Sequence, residues 1–177
     1  VDFNSVSLSP SGSTNVSNAC IEVIQTGPIV NMRNNNFANF TPSQSGLPFH
    51  YGIVVPNLTI AAAGSISNYN NIFIDQISNG VAVRKSASTA ADYATVVLWN
   101  TASSLDAQSI SADPAFINNN SDLHAFASLI DGAGSFSGIT WVQDDIDGEV
   151  RSVTPDIGAD EFTLVNLDIA LVEFVSP

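Results

Sequence analysis

The sequence predicts an all-β chain wound as a parallel β-helix, a solenoid whose successive circuits stack, with a C-terminal cap. Two observations predict it. Val, Ile, Thr and Phe are plentiful while long charged helix formers are nearly absent, which is the composition of strands. The same order of short apolar runs also recurs along the chain at irregular intervals of roughly 25–35 residues, a period typical of stacked repeats.

Taken in order, the first series of runs is "IEVI" (Ile21–Ile24), "GIVV" (Gly52–Val55) and "GVAV" (Gly80–Val83). Each follows polar or turn-forming residues. Alternation places Ile53, Val55, Val81 and Val83 inside and leaves Val54 and Ala82 outside. The second series, "IVNMRNNNF", "SISNYNNIF" and "ADYATVVLW", ends each time in an aromatic residue. Phe37, Phe73 and Trp99 are therefore expected to stack as one interior column, or, facing outward, to form a flat platform for sugar rings. Tyr51, Tyr93 and Trp141 are further candidates for sugar contacts. The clusters Asn34–Asn36 and Asn70–Asn71 fall at matching places, so their amides are expected to form ladders along the stack. The alternative that the pattern admits is an antiparallel β-sandwich, whose strands also recur with frequent turn signals.

Between the runs, residues 41–52 and 84–93 read as loops leaving the stack. Beyond Trp99 the chain becomes shorter in period, more acidic and richer in turns. Three divisions follow: repeats over 1–110, terminal repeats and cap over 111–162, and a linker or the first strand of a further module over 163–177.

Charge narrows the partners. Four Lys and Arg stand against 17 Asp and Glu, for a formal charge of -13. Such a field repels nucleic acid and anionic membrane surfaces, and it suits a solvated extracellular surface or one that attracts cations. No apolar run approaches the roughly 20 residues of a membrane span. Cys20 stands alone, so no intrachain disulfide is available. Residues 1–4 have neither the basic nor the apolar region of an export signal, so an exported parent would carry that signal elsewhere.

The stretch "DDIDGEVRSVTPDIGADEF" (Asp144–Phe162) concentrates the acids. Asp144, Asp145, Asp147 and Glu149 offer oxygens to calcium, a cation that takes six to eight of them. The spacing lacks the Asp-x-Asp-x-Asp-Gly loop with its distal Glu, and Arg151 sits close by. As a cap, the same stretch would plug the last circuit with Ile146, Val150, Val153, Ile157 and Phe162. Its carboxylates would face water, and Arg151 would pair with Asp147 or Asp156. Capping is the expected role, because a solenoid's open end otherwise invites edge pairing.

Catalytic sets are thin. Paired carboxylates or a basic residue with calcium would be needed for polysaccharide cleavage. The repeats offer Asp75, Asp92, Asp106, His50, Arg84 and Lys85, of which Arg84, Lys85 and Asp92 are the one mixed-charge group. "GSFSG" (Gly134–Gly138) is no nucleophile elbow, because Phe136 occupies its centre. No catalytic, cofactor-binding or metal residue is assigned, and an enzyme is not the favoured reading.

The C-terminal third resembles the ends of secreted bacterial right-handed parallel β-helix proteins, including those grouped by a "choice-of-anchor" region. The matching residues are Asp113-Pro114-Ala115-Phe116, Asp122-Leu123-His124, Ile130-Asp131-Gly132, Asp145-Ile146-Asp147-Gly148 with Arg151, and Asp156-Ile157-Gly158-Ala159-Asp160-Glu161-Phe162. Ala125 stands where the family has Leu, and Ser128-Leu129 where it has Ser-Pro-Ala. The resemblance implies a structural His124 and an exported surface protein of a Bacteroidetes-type bacterium. It also implies an Ig-like or adhesion module after residue 163. The function expected is that of a non-catalytic secreted or cell-surface module for adhesion, binding carbohydrate or protein, with polysaccharide or surface and export proteins as partners. The alternative is a fragment of a polysaccharide lyase or glycoside hydrolase whose active repeats lie partly outside these residues.

Overall fold

In a computed structural model, which describes residues 1–9, 17–24, 29–42, 49–57, 64–75, 80–86 and 90–164, the short apolar runs form nine strands and one helix. Strands β1 (Ser5–Leu8), β4 (Asn36–Asn39) and β7 (Asn71–Ile74) make a three-stranded sheet in the order β1-β4-β7. Strands β2 (Asn18–Glu22), β5 (His50–Val55), β8 (Gly80–Lys85) and β9 (Ala91–Tyr93) make a second, and β3 (Asn31–Arg33) with β6 (Ile66–Asn68) a third. All pairings are parallel except β8 with β9, which is antiparallel.

The expected fold class is corrected here. The strands, three to six residues long, lie in small separate sheets, one of them mixed, and no closed or solenoid sheet is present among the described residues. The all-β expectation fails at "ADYATVVLW", where Val96–Ser103 is the helix α1. Thr95 caps it by accepting the Leu98 N–H at 3.2 Å, and Ser104 ends it in the left-handed conformation. Val96 and Trp99, three residues apart, bury one helical face. The residues expected as a loop over 84–93 include β9, which turns back on β8 and brings Asp92 opposite Arg84. The antiparallel sandwich also fails, because neighbouring long-range strands run in the same direction.

The main core joins Met32, Phe37, Ile53, Val55, Ile72, Ala82, Val83, Val96 and Trp99, with Cys20 and Ile21 packed against it. Val81 instead joins Tyr51 and Val54 in a separate cluster. Two successive residues, Ala82 and Val83, thus join one core, so strict alternation is broken. Gly52 permits close approach of β5 to its neighbours: a Cβ there would lie 2.4 Å from Ile72 Cγ2 and 2.8 Å from the Ala82 carbonyl oxygen.

The single aromatic column is also corrected. Phe37 pairs with Ile72, while Phe73 pairs with Ala38, one residue out of step. A one-residue offset sends a side chain to the opposite face. Phe73 accordingly packs against Phe40, with ring centroids 5.6 Å apart, in a second core built on Ala38, Phe116, Ala125, Ile130 and Ile157. Phe37 and Trp99 share the main core.

The asparagine ladders are present. Asn35 donates its backbone N–H and its amide to Asn70 Oδ1, both at 3.0 Å, and Asn4 donates in the same way to Asn35 Oδ1 at 3.1 Å. A parallel ladder runs from Asn71 Nδ2 to Asn36 Oδ1 at 2.9 Å. The residue before each member of the first ladder, Phe3, Asn34 and Tyr69, has φ of 56°. The same left-handed corner is therefore built three times, although only Asn34 favours it intrinsically.

Residues 111–162 contain no named strand and lie along the outer side of the β1-β4-β7 sheet. The Gly158 N–H reaches the Asn34 carbonyl at 2.9 Å, the Ala159 N–H reaches Ser5 Oγ at 3.0 Å, and Ser7 Oγ reaches the Asn119 carbonyl at 2.7 Å. These contacts return the chain to its first strand along the flank, where the sequence suggested closure of an end. The expected plug is correspondingly different. Ile157 is buried and Phe162 packs against the second core, but Ile146, Val150 and Val153 are exposed, the last to 94%. Residues 165–177, which include most of the expected linker, lie outside the described residues.

Candidate functional site

The flanking segment draws its acids and its two basic groups into a network centred on Arg151 and His124. Arg151 is buried above the Phe3 ring, its guanidinium carbon 4.3 Å from the centroid. Its Nη2 donates to the carbonyls of Gly158 and Ala159, and Nη1 lies 3.5 Å from Glu161. Glu161 replaces the Asp147 or Asp156 partner that the sequence suggested. Burial lowers the arginine's proton affinity, while Glu161, Asp145, Asp156 and Asp160 oppose that effect.

The carboxylates do not all face water. Asp156 and Asp160 are buried. Asp156 accepts the Gly132 N–H at 2.6 Å and the Phe162 N–H at 2.7 Å. Burial, aided by Glu161 and Asp131, still pushes its pKa up to about 6 against the pull of those donors. Asp160 accepts the Ala125 N–H at 2.9 Å, and burial raises its pKa as well.

His124 sits between two chain segments. Its Nδ1 meets Asp122 Oδ1 at 2.5 Å and its Nε2 meets Asp147 Oδ2 at 2.7 Å. These two hydrogen bonds, Asp122 first, push its pKa up to about 9, so the ring is an imidazolium at neutral pH. Asp122 is lowered in turn by its bond to His124. Asp160 completes the group: one donor atom from each of His124, Asp147 and Asp160 lies within 4.8 Å of the others, a cluster of metal-ligand type.

The four acids expected to hold calcium are used differently. Asp145 Oδ1 accepts the N–H groups of Asp147 and Glu149, and Oδ2 accepts that of Glu161. Burial raises its pKa, but those three donors and Arg151 prevail and hold it below the ordinary value. Asp145 thus fastens the 144–150 turn to the 160s. Asp147 belongs to the His124 group, and Asp144 and Glu149 are exposed. From the sequence, His124 carried only the structural role that the resemblance implies, with no link to these acids. The signal that was available is its position two residues after Asp122, the spacing at which an Asp folds back on the next turn.

A second feature lies on the β2-β5-β8 sheet, where a groove of about 350 Å³ is lined by Ser17, Asn18, Glu22, Tyr51, Arg84 and Ser86 among others. Arg84 Nη1 donates to the Tyr51 hydroxyl at 2.9 Å and to both oxygens of Asp92, at 2.9 and 3.1 Å. Its guanidinium lies 5.4 Å from the centroid of the Tyr51 ring, which also stacks on Phe49. The Arg84–Asp92 group read from the sequence is therefore real, but it joins two strands. His50 is fully buried and bonded to Asn18 Oδ1 at 3.1 Å. Asp106 is buried too, accepting from Trp99 Nε1, Ser67, Asn70 and Ser109. Of the aromatic candidates for sugar contact, Tyr51 is buried and Tyr93 packs on Trp99, whereas Trp141 is 64% exposed with Arg33 over its ring.

No helix among the described residues is long and apolar enough to cross a membrane. Compared with known proteins, the chain matches no family model, no curated protein and no solved structure.

Proposed function

We propose that the protein is a non-catalytic module, secreted or held at a cell surface, that binds carbohydrate along the flank of its four-stranded sheet. The observation that carries this reading is the groove between Asn18, Glu22, Tyr51, Arg84 and Ser86. Its volume falls at the lower end of small-ligand sites. It mixes amide, hydroxyl, carboxylate and guanidinium groups, which together donate to and accept from a hydroxyl-rich ligand. Asp92 and Tyr51 hold Arg84 in place before any ligand arrives, which lowers the ordering cost of binding. The acidic exterior fits a solvated extracellular setting, and surface or export proteins are the other partners this reading accommodates.

Titration with neutral and uronic-acid oligosaccharides, followed by calorimetry and amide NMR, tests the reading. Saturable binding that perturbs the groove and weakens about tenfold in Arg84→Ala is expected, the loss matching one charge-assisted hydrogen bond. Binding unaffected by that variant would discard the groove. Turnover of a polysaccharide would favour the lyase or glycosidase alternative instead.

Calcium at Asp144, Asp145, Asp147 and Glu149 is the second reading. It is favoured by the turn that brings these acids together, where Asp144 bridges to Val150. Its obstacle is that both Asp145 oxygens already serve backbone donors. Tight stoichiometric heat on adding calcium after chelation would establish it.

A further inference from the structure

We propose that His124, Asp147 and Asp160 form a binding site for a transition-type divalent cation of the zinc class, with Asp122 orienting the imidazole. The inference is independent of the groove and of the calcium reading.

The ligand chemistry selects the ion. One imidazole nitrogen and two carboxylates suit zinc and its neighbours, whereas calcium takes oxygen ligands. The imidazole is already arranged for coordination. Nδ1 faces Asp122, which leaves Nε2 as the atom aimed at Asp147. A carboxylate on the distal nitrogen is the usual means of fixing a metal-binding histidine. Spacing agrees as well. Zinc bonds of about 2.0–2.2 Å separate neighbouring tetrahedral ligands by roughly 3.3 Å, and the three donor atoms lie within 4.8 Å of one another. Bringing even the most distant pair to that separation takes at most about 1.5 Å of approach.

Asp160 supplies an independent observation. It is only 6% exposed, and its Oδ2 accepts the Ala125 N–H while Oδ1 has no hydrogen-bond partner among the described residues. A largely buried carboxylate beside a second carboxylate and an imidazole favours a cation among them, and its second oxygen is open to that group. The His124 proton supplies part of that charge, and the ion would take its place: the metal–nitrogen bond forms as the Nε2 proton leaves to solvent. A bound ion would join three separate stretches, the turn at 122–124, the turn at 144–150 and the segment at 156–162. The remaining coordination position is left to water.

The test uses the chelator-stripped chain and zinc alone, with calcium and magnesium in parallel, at mildly alkaline pH. Calorimetry should give one zinc per chain, thermal unfolding should shift upward by several degrees, and the ¹⁵N resonance of His124 Nε2 should move to a metal-bound value. Calcium and magnesium should do none of these. Asp147→Asn, at an exposed position, should weaken zinc binding at least tenfold without unfolding the chain, as should His124→Gln. Asp122→Asn should cost about 10–100-fold through the imidazole's orientation. The proposal is overturned if the folded chain shows no zinc-dependent heat or ¹⁵N shift. It is equally overturned if binding survives unchanged in both ligand variants, which would mark adventitious surface carboxylates.

Discussion

Replacing Asn70 with alanine should remove a large share of this protein's stability, and the loss can be worked from its contacts. The side chain is completely buried and its Oδ1 accepts both the backbone N–H and the amide of Asn35. Its Nδ2 donates to the Met32 carbonyl, Ser67 Oγ and Asp106 Oδ1, at 3.0, 3.1 and 3.0 Å. Ser67 and Asp106 keep other partners, because they bond to each other and Asp106 also accepts from Ser109. The Asn35 amide likewise keeps the Val1 carbonyl, at 3.0 Å, but the Asn35 backbone N–H has no second acceptor, and a buried orphan of this kind costs about 1–3 kcal/mol. With the side chain's own hydrogen bonds added to that one orphan, the expected loss is about 3 kcal/mol, against a typical total of about 5–15 kcal/mol. For a chain of this size that lowers the melting temperature by on the order of 10 °C. Asn4 occupies the same column but is exposed, so Asn4→Ala should cost only about 0.5–1 kcal/mol. Urea unfolding of both variants, monitored by circular dichroism, measures the pair. If Asn70→Ala costs under about 1 kcal/mol, or no more than Asn4→Ala, the ladder is not the support claimed for it.

Two further outcomes follow from other parts of the fold. Gly52→Ala would force a Cβ to within 2.4 Å of Ile72 and 2.8 Å of the Ala82 carbonyl, so a loss of about 1–3 kcal/mol is expected by denaturant titration. An unchanged midpoint would refute the close approach. For pH, His124 has a folded pKa of about 9 against an ordinary 6.5, so its contribution is full below 6.5 and is lost as pH rises through 9. Asp156, raised from 3.8 to about 6, has the same sign, favouring the fold below 3.8 and losing that benefit as pH rises through 6. Melting temperature in the absence of divalent ions should therefore fall between pH 7 and 10, with His124→Gln flattening that decline, and a rise over this range would contradict the His124 assignment. The Asp156 contribution is read between about pH 4 and 6, where Asp156→Asn should remove its part of the pH dependence.

Much of the local order was legible in the sequence. "IEVI" and "GIVV" align with Ile21 opposite Ile53, as their spacing suggested. The asparagine clusters meet as amide ladders, because an Asn that recurs at the same register of neighbouring parallel segments can satisfy the same donor each time. The Arg84–Asp92 pair was visible as the one mixed-charge group of the repeats. The fold class was not legible. Apolar runs of this kind specify strands, but not how many join one sheet or where a strand turns back. "ATVVLW" carries β-branched residues yet forms a helix, since the Thr95 cap and the buried face of Val96 and Trp99 outweigh a weak strand preference. The acidic quartet was legible only in part for a similar reason, because nearness in sequence did not show that Asp145 would serve backbone donors or that Asp147 would meet His124.

By itself, then, the sequence determined the periodic features: where strands begin, which amides stack, and that the acids gather late in the chain. Tertiary structure alone decided that Phe73 faces away from Phe37, that residues 111–162 run back along the flank to Ser5, and that His124 meets Asp147 and Asp160. The reason is physical. Periodicity is carried by each segment's own side chains, whereas register and docking depend on summed contacts between segments up to 154 residues apart, where one residue of offset exchanges the buried face for the exposed one.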